Sequence, residues 1–414
     1  MNSRSAKEGF LTRVARRGGR SDRSPLGAWF WDIDWVLLIL TLFLMAIGLV
    51  AVAAASPASA QRYSDTTHHM PALYYFWRQV MWVAVSLPVL FIVSMLPTES
   101  ARRMALIGCA GFLVMLMLVP LIGVQVNGAR RWLGVGVAQF QPSEFLKPCF
   151  IVAVAWLLSL KNKEQGLSGG VLAALTGGLT ALVAALLMLQ PDFGQTVVFC
   201  AVWLALLLIS GISARVIGAL FGAAFVGVIS AYLFYSTART RIDAFLFPDS
   251  TDAADHFQVN AARATLTAGG WFGTGPGGGQ MKFRLPEAHT DYIFSVIGEE
   301  FGLISCAIVA VIFLAIVVRV FVKLLDEQEE FRVLAASGLA IQFGLQALIS
   351  MAVNTGLAPS KGMTMPFISY GGSSLLVNGI VVGLLLALSD KGVEPPPPPR
   401  PPGRIRRIAQ RVGS

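Results

Sequence analysis

The chain has 414 residues, of which 55% are apolar and only 13% are charged, and its formal net charge is +9. Together with a mean hydropathy of +0.67, this composition excludes a soluble globular protein and predicts a polytopic membrane protein. The basic excess does not point to nucleic acid as a partner, because membrane orientation and attraction to anionic membrane lipid already explain basic tails.

A basic tail, residues 1–35, is followed by ten apolar stretches of about the 17 to 25 residues that a membrane-spanning helix needs. The stretches are 36–55, 76–96, 104–124, 140–160, 170–189, 195–211, 216–235, 292–318, 333–352 and 374–389. We therefore predict an all-α, polytopic integral membrane protein with about ten transmembrane helices, a membrane domain at 36–389, and both termini on one side.

Positive charge predicts the orientation of these spans. Lys and Arg are concentrated in both tails and in the loops on the same side, so both termini are expected in the cytoplasm. The largest outer loop, 236–291, then lies between the seventh and eighth spans. The second tail, 390–414, is rich in Pro and Arg; it is either a stiff spacer, which we favour, or a docking ligand.

Polar residues gather near the outer ends of the spans. Arg130 and Arg131 lie in the outer loop before the fourth span, and Glu144 and Lys147 share one helical face at the start of that span. These two could be part of a capping arrangement, but a lysine one turn into an apolar span is costly unless it is paired or hydrated. Asp192, in the next outer turn, most simply caps the sixth helix.

The large outer loop contains a glycine-dense run, 269–279, that could present backbone N–H groups to phosphate oxygens. No strand–loop–helix context accompanies this run, so it is not a nucleotide-binding motif. Asp291 stands where the eighth span begins and, taken alone, is more often a helix cap than a catalyst. Glu299 is eight residues further on, roughly 12 Å deeper, and an intramembrane carboxylate is a functional candidate.

The segment 356–374 sets Lys361 among glycines and prolines between two apolar spans. It is either a re-entrant connector with sharp turns or the lining of a cavity, since lipid cannot satisfy irregular backbone. Taken together, these carboxylates and cations from separate segments predict a site for an anionic substrate in the outer half of the membrane. A metal could bridge carboxylate and phosphate there.

Four motifs make the chain resemble the SEDS family (shape, elongation, division and sporulation) of bacterial membrane proteins over about residues 30 to 390. They are QPSEFLK at 141–147, QPDFG at 190–194, AHTDYIF at 288–294 and the signature at 359–373. The basic amino-terminal extension, the sequence around Asp291 and the extended cytoplasmic tail favour the cell-division branch over the elongation branch.

The resemblance implies a peptidoglycan glycosyltransferase that polymerises lipid II, a disaccharide-pentapeptide on undecaprenyl diphosphate, at the periplasmic face of the bacterial inner membrane. It implies that Asp291 is essential, and that a divalent cation, Mg²⁺ or Mn²⁺, takes part through ligands that are unknown. It further implies a class B penicillin-binding transpeptidase as partner, other divisome membrane proteins nearby, and a location at the division septum.

On this resemblance we expect Asp291 to act as general base, because an inverting transfer needs a proton acceptor for the attacking hydroxyl. Lys361, Arg130 or Arg131, and Lys147 are candidates to neutralise the departing diphosphate. Glu144 either pairs with Lys147 or holds metal, and pairing is favoured. Two alternatives stay open: a lipid II flippase, and a non-enzymatic scaffold that recruits a transpeptidase.

Overall fold

The structure is a computed structural model of the whole chain. It describes residues 25–64, 69–126, 129–134, 139–161, 167–234, 253–359 and 362–389, together with 236, 239 and 243. Residues Asp34–Ser389 form one compact unit, and a second unit comprises the two tails. Lys361 lies outside the described residues.

Twelve α-helices and one short hairpin make up the elements used below. The helices are α1 Pro25–Asp32, α2 Trp35–Tyr63, α3 Tyr74–Ser94, α4 Thr98–Ile122, α5 Pro142–Leu158, α6 Gly169–Leu189, α7 Phe193–Ile209, α8 Ala214–Phe234, α9 Ala253–Ala268, α10 Ile293–Leu324, α11 Glu330–Asn354 and α12 Gly372–Ser389. Strands β1 Val124–Val126 and β2 Ala129–Trp132 pair antiparallel.

The all-α, polytopic class is confirmed. Each of the ten predicted stretches overlaps one helix, and among the described residues seven helices are long and apolar enough to cross a membrane. Two further apolar helices, Phe193–Ile209 and Gly218–Phe234, are shorter. Helix α9 lies within the predicted outer loop. The sequence did not predict it, because its polar composition hid the helical pattern.

The bundle is built around α12, which is buried along most of its length and packs on α3, α5 and α11. Its backbone is tied to α3, where the Ser86 hydroxyl donates to the Leu375 carbonyl at 2.8 Å. Because lipid offers apolar surface everywhere, such close packing and interhelical hydrogen bonds, rather than the hydrophobic effect, hold helices together in a membrane.

Helix α10 is interrupted at Gly302, which has a left-handed φ of 83°. The loop after α9 fills the break: Leu303 and Ile304 donate their N–H groups to the carbonyls of Gly270 and Trp271, at 3.0 and 3.3 Å. Glycine is required here because it adopts positive φ without strain, and the loop satisfies backbone groups that lipid could not.

The segment between α11 and α12 is re-entrant, as one of the two sequence readings expected. Its Phe367, fully buried, lies against α2 at Gly48, where any Cβ would overlap the Phe367 carbonyl oxygen. Gly48 is about fifteen residues from the end of α2, so the segment reaches roughly 20 Å along that helix. Irregular backbone survives at this depth because protein surrounds it.

The end of the bundle remote from Asp291 is fastened by one carboxylate. Asp34 accepts the N–H groups of Val36 and Leu37 and so caps α2. It also pairs with Arg319 at 2.9 Å and Lys323 at 3.2 Å, both near the end of α10. Helices α2 and α10 are therefore joined at this end.

Candidate functional site

Asp291 stands two residues before α10 and is held by its backbone. The Asn354 amide, at the last residue of α11, donates to the Asp291 carbonyl at 2.9 Å, while its oxygen accepts from Ser295. Asn354 is fully buried. A rotation of Asp291 about the start of α10 would break this hydrogen bond. The bond therefore holds in place the backbone from which the Asp291 carboxyl group extends.

The Asp291 side chain faces the re-entrant segment. A Cβ placed on Gly362 would lie 3.6 Å from Oδ2 of Asp291, and Gly362 has a left-handed φ of 63°. Gly362 is exposed and Asp291 is half-buried, so this contact lies near the surface of the described residues. Lys361 directly precedes Gly362 in the sequence but lies outside the described residues.

A second set of contacts fixes the residues just before Asp291. His289 Nδ1 lies 2.8 Å from the Ser59 hydroxyl of α2, and its ring contacts Tyr75 and Tyr370. The Ser369 hydroxyl donates to the Thr290 carbonyl at 2.7 Å. Burial lowers the pKa of His289 to about 4, so the imidazole is neutral at physiological pH.

Glu144 and Lys147 form a buried ion pair, as the favoured interpretation of Glu144 expected. Their atoms are 2.8 Å apart, and their side chains are 8% and 2% exposed. The Gln195 amide of α7 also donates to the Glu144 carboxylate. Lys147 in turn reaches Gln346 of α11 at 3.4 Å. Lys147 therefore faces protein partners rather than an open cavity in this structure.

Asp192 caps α7, as predicted, by accepting the Gln195 N–H at 3.3 Å. It also accepts from the Gln141 amide at 3.1 Å and lies 4.0 Å from Arg131. Burial raises the pKa of Asp192, and the Arg131 guanidinium partly opposes that rise. The same guanidinium donates to the Gln190 and Pro191 carbonyls, which fastens the β-hairpin to the α6–α7 turn.

Glu299 belongs to a third cluster, 8 residues along α10 from Asp291. Its carboxylate accepts the N–H groups of Met281 and Lys282, at 2.6 and 2.9 Å. The neighbouring Glu300 pairs with the Lys282 ammonium and accepts the N–H of Gly277. Within the glycine-dense run, Gly277 thus donates to a protein carboxylate, while Thr274 and Gly275 donate to the backbone carbonyls of Glu299 and Glu300.

The predicted residues fall into distinct surroundings. The structure brings together Glu144, Lys147, Asp192 and Arg131 in one hydrogen-bonded network. Asp291 adjoins the re-entrant segment, Glu299 secures the glycine-dense loop, and Arg130 is exposed on β2. Sequence reasoning missed Asn354, Gln346 and His289, although amides inside apolar spans are themselves a signal for buried polar contacts.

The described residues contain no group of three or more His, Cys, Asp or Glu side chains that could hold a metal ion. The carboxylates of Glu144, Glu299 and Glu300 already have cationic or N–H partners. Mg²⁺ commonly binds through one or two carboxylates completed by substrate phosphates. The divalent cation therefore stays a prediction, and its ligands stay unassigned.

The fold and site define a class: a polytopic α-helical membrane protein with a carboxylate presented beside a re-entrant, glycine-flanked segment. The family model described as cell cycle protein, FtsW/RodA/SpoVE, matches residues 34–393. The chain therefore belongs to this family, which confirms the resemblance inferred from the motifs.

Known proteins support the assignment. The chain is 40% identical over 372 residues to the probable peptidoglycan glycosyltransferase FtsW of Caulobacter vibrioides, covering 90% of this chain and 93% of that one. A chain of a peptidoglycan synthase complex that coordinates polymerization and crosslinking is 26% identical, with a TM-score of 0.70 and coverage of 86% and 97%. The rod shape determining protein RodA of Thermus thermophilus is 26% identical, with a TM-score of 0.63 and coverage of 88% and 98%.

Proposed function

We propose that this chain is a peptidoglycan glycosyltransferase that polymerises lipid II during septal wall synthesis, with Asp291 as general base. The observation that carries the proposal is the placement of the Asp291 carboxylate against Gly362, next to Lys361. The names of the relatives support the glycosyltransferase class, and the membrane fold suits a lipid-linked substrate.

In the proposed reaction, the acceptor hydroxyl attacks the anomeric carbon from the side opposite the diphosphate, with inversion. Asp291 takes the hydroxyl proton, the new glycosidic bond forms, and the bond to the diphosphate oxygen breaks. The contact from Asn354 fixes the backbone of Asp291 while this occurs. Pre-organised geometry of this kind lowers the entropic part of the barrier.

The departing diphosphate needs positive charge, and Lys361 is our first candidate because in the sequence it precedes Gly362, the glycine that faces Asp291. Arg130, exposed on β2, is a second. Arg131 and Lys147 are already committed to protein oxygens. A divalent cation, Mg²⁺ or Mn²⁺, bound to the diphosphate would supply further charge neutralisation.

An apolar groove suits the prenyl chain of the substrate. A cavity of about 280 Å³ lies between α2 and α10, lined on one side by Phe43, Ile47 and Val50 and on the other by Ile297, Phe301 and Ile308. Ile297 is six residues along α10 from Asp291, roughly 9 Å. A polyprenyl diphosphate with its head at Asp291 could therefore lay its first isoprene units in this groove.

We further propose that both termini are cytoplasmic, that Asp291 faces the periplasm of a bacterial inner membrane, and that a class B penicillin-binding transpeptidase is the partner. Lys- and Arg-rich tails support the orientation. The partner is supported by the similar chain in the synthase complex that couples polymerization to crosslinking.

The test is reconstitution of purified protein, with and without the transpeptidase, with lipid II in detergent, read as glycan polymer on a gel. We expect polymer from the unmodified protein and from Glu99→Gln, a matched change at the remote end of the bundle, and none from Asp291→Ala. Polymer from a correctly inserted Asp291→Ala would remove the base assignment. Movement of lipid II between leaflets without polymer would favour a flippase, and neither activity would leave a scaffold.

A further inference from the structure

Gln346, in the buried middle of α11, connects the Glu144–Lys147 pair to the re-entrant segment. Its Oε1 accepts from Lys147 at 3.4 Å and from the Gln342 amide at 2.8 Å. Its Nε2 donates to the Thr364 carbonyl at 3.0 Å. Gln346 is only 1% exposed, so water does not replace these contacts cheaply.

The orientation of the Gln346 amide is dictated by its neighbours. An ammonium can only donate and a backbone carbonyl can only accept, so the amide must turn its oxygen to Lys147 and its nitrogen to Thr364. Gln342 and Gln195 likewise donate through Nε2, to Gln346 and to Glu144. Their own Oε1 atoms are buried acceptors without a partner among the described residues. The ion pair therefore determines which way each amide in this network is turned.

Thr364 stands two residues beyond Gly362, whose Cα faces the Asp291 carboxylate. The Thr364 hydroxyl is 2.8 Å from that of Ser374, which anchors the segment on α12 as well. A shift of the Thr364 carbonyl would move Gly362 relative to Asp291. Gln346 is thus placed to set the distance between the proposed base and the re-entrant segment at Gly362.

We propose that Gln346 is a positioning residue for the polymerisation reaction, and that Lys147 and Glu144 act through it rather than on the substrate. The ion pair orients the Gln346 amide, and the amide holds the re-entrant segment opposite Asp291. This inference rests on the proposed function, and it assigns a role to a residue that touches neither substrate nor the reacting atoms.

The kinetic test compares Gln346→Met, Lys147→Met and the double variant in lipid II polymerisation. We expect each single change to lower kcat on the order of 10- to 100-fold, as loss of positioning does, and the double variant to be no worse than either single one. Gln346→Glu keeps an acceptor for Lys147, but its ionised carboxylate cannot donate to Thr364, so we expect the same loss. Multiplying effects in the double variant, or full activity of Gln346→Glu, would overturn the proposal.

Gln79 of α3 offers a matched control. It is also a fully buried glutamine whose amide donates to the re-entrant segment, to the Ser369 carbonyl at 3.4 Å, but it does not contact Lys147. Gln79→Met should destabilise the protein about as much as Gln346→Met does. Its effect on kcat, however, should multiply with that of Lys147→Met. If it fails to multiply as well, the coupling is not specific to Gln346.

Hydrogen exchange supplies a readout that needs no substrate. The Met365 N–H donates to the Ser369 hydroxyl at 2.8 Å, so this amide reports on the segment. We expect faster exchange at Met365 in both Gln346→Met and Lys147→Met. Unchanged exchange would refute the positioning role, whereas absence of polymer from the unmodified protein would instead refute the proposed function.

Discussion

The clamp between Lys282 and Glu300 gives the sharpest stability prediction. Lys282 reaches across from the glycine-dense loop to pair with Glu300 and also donates to the Ala54 carbonyl of α2 at 2.8 Å. Both charged side chains are almost completely buried, at 2% and 0% exposure.

Lys282→Met would leave the Glu300 carboxylate buried, and among the described residues its one remaining donor would be the Gly277 N–H. Removing one partner of a buried ion pair costs about 3–5 kcal/mol, and the Ala54 carbonyl loses a charged hydrogen bond as well. We therefore expect unfolding in detergent to become easier by at least 3 kcal/mol. Because the Glu299 contacts are untouched, the loop should stay near α10 rather than detach.

The assay is equilibrium or thermal unfolding of the purified protein in one detergent, with the double variant Lys282→Met, Glu300→Leu as the control. Replacing a buried pair by apolar side chains is often neutral or stabilising, so the double variant should recover much of the loss. A single variant that loses less than about 1 kcal/mol, the upper end of the range for exposed pairs, would show that Glu300 reaches water and would refute the reasoning.

Three further predictions concern other contacts. Gly48→Leu should prevent the re-entrant segment from packing on α2, seen as loss of folded protein, because its Cβ would overlap the Phe367 carbonyl oxygen; wild-type yield would contradict this. Asp34→Ala should cost more than the roughly 1 kcal/mol of a helix cap, and Asp34→Asn, which keeps the cap but not the charge, should cost less. Unchanged stability of Asp34→Asn would exclude a contribution from the ion pair with Arg319. Since His289 has a pKa lowered to about 4, against 6.5 when unfolded, stability should be full above pH 6.5 and fall by up to about 3 kcal/mol as the pH drops to 4; His289→Gln should lose this slope in pH-dependent unfolding.

The membrane fold was readable from the sequence because apolar length is a local property. A span of about 20 apolar residues has few alternatives to a helix in lipid, so the overlap between predicted stretches and helices is close. Helix α9 was missed because its sequence is polar, and a polar stretch between two apolar spans has the composition of a loop. The break at Gly302 was missed because a glycine inside an apolar run gives no sign of the loop that will fill it.

The candidate site divides in the same way. Motif and charge singled out Asp291, Glu144 and Lys147, and helical spacing predicted that the last two would pair. Their further surroundings depend on residues remote in the chain: Lys147 meets Gln346 across 199 positions, and His289 meets Ser59 across 230. Glu299 was expected to bind substrate, a role that stays a prediction, but its carboxylate secures a backbone loop.

The amino-acid sequence by itself determined that this protein spans a membrane with many helices and that charged residues collect near one face. Hydropathy and charge act residue by residue along the chain, which is why they could be read in one dimension. The tertiary structure decided which of those charges are paired and buried and which, like that of Asp291, face the re-entrant segment. That choice depends on desolvation, because a carboxylate or ammonium withdrawn from water must find a partner, and only packing of distant helices determines where the partner lies.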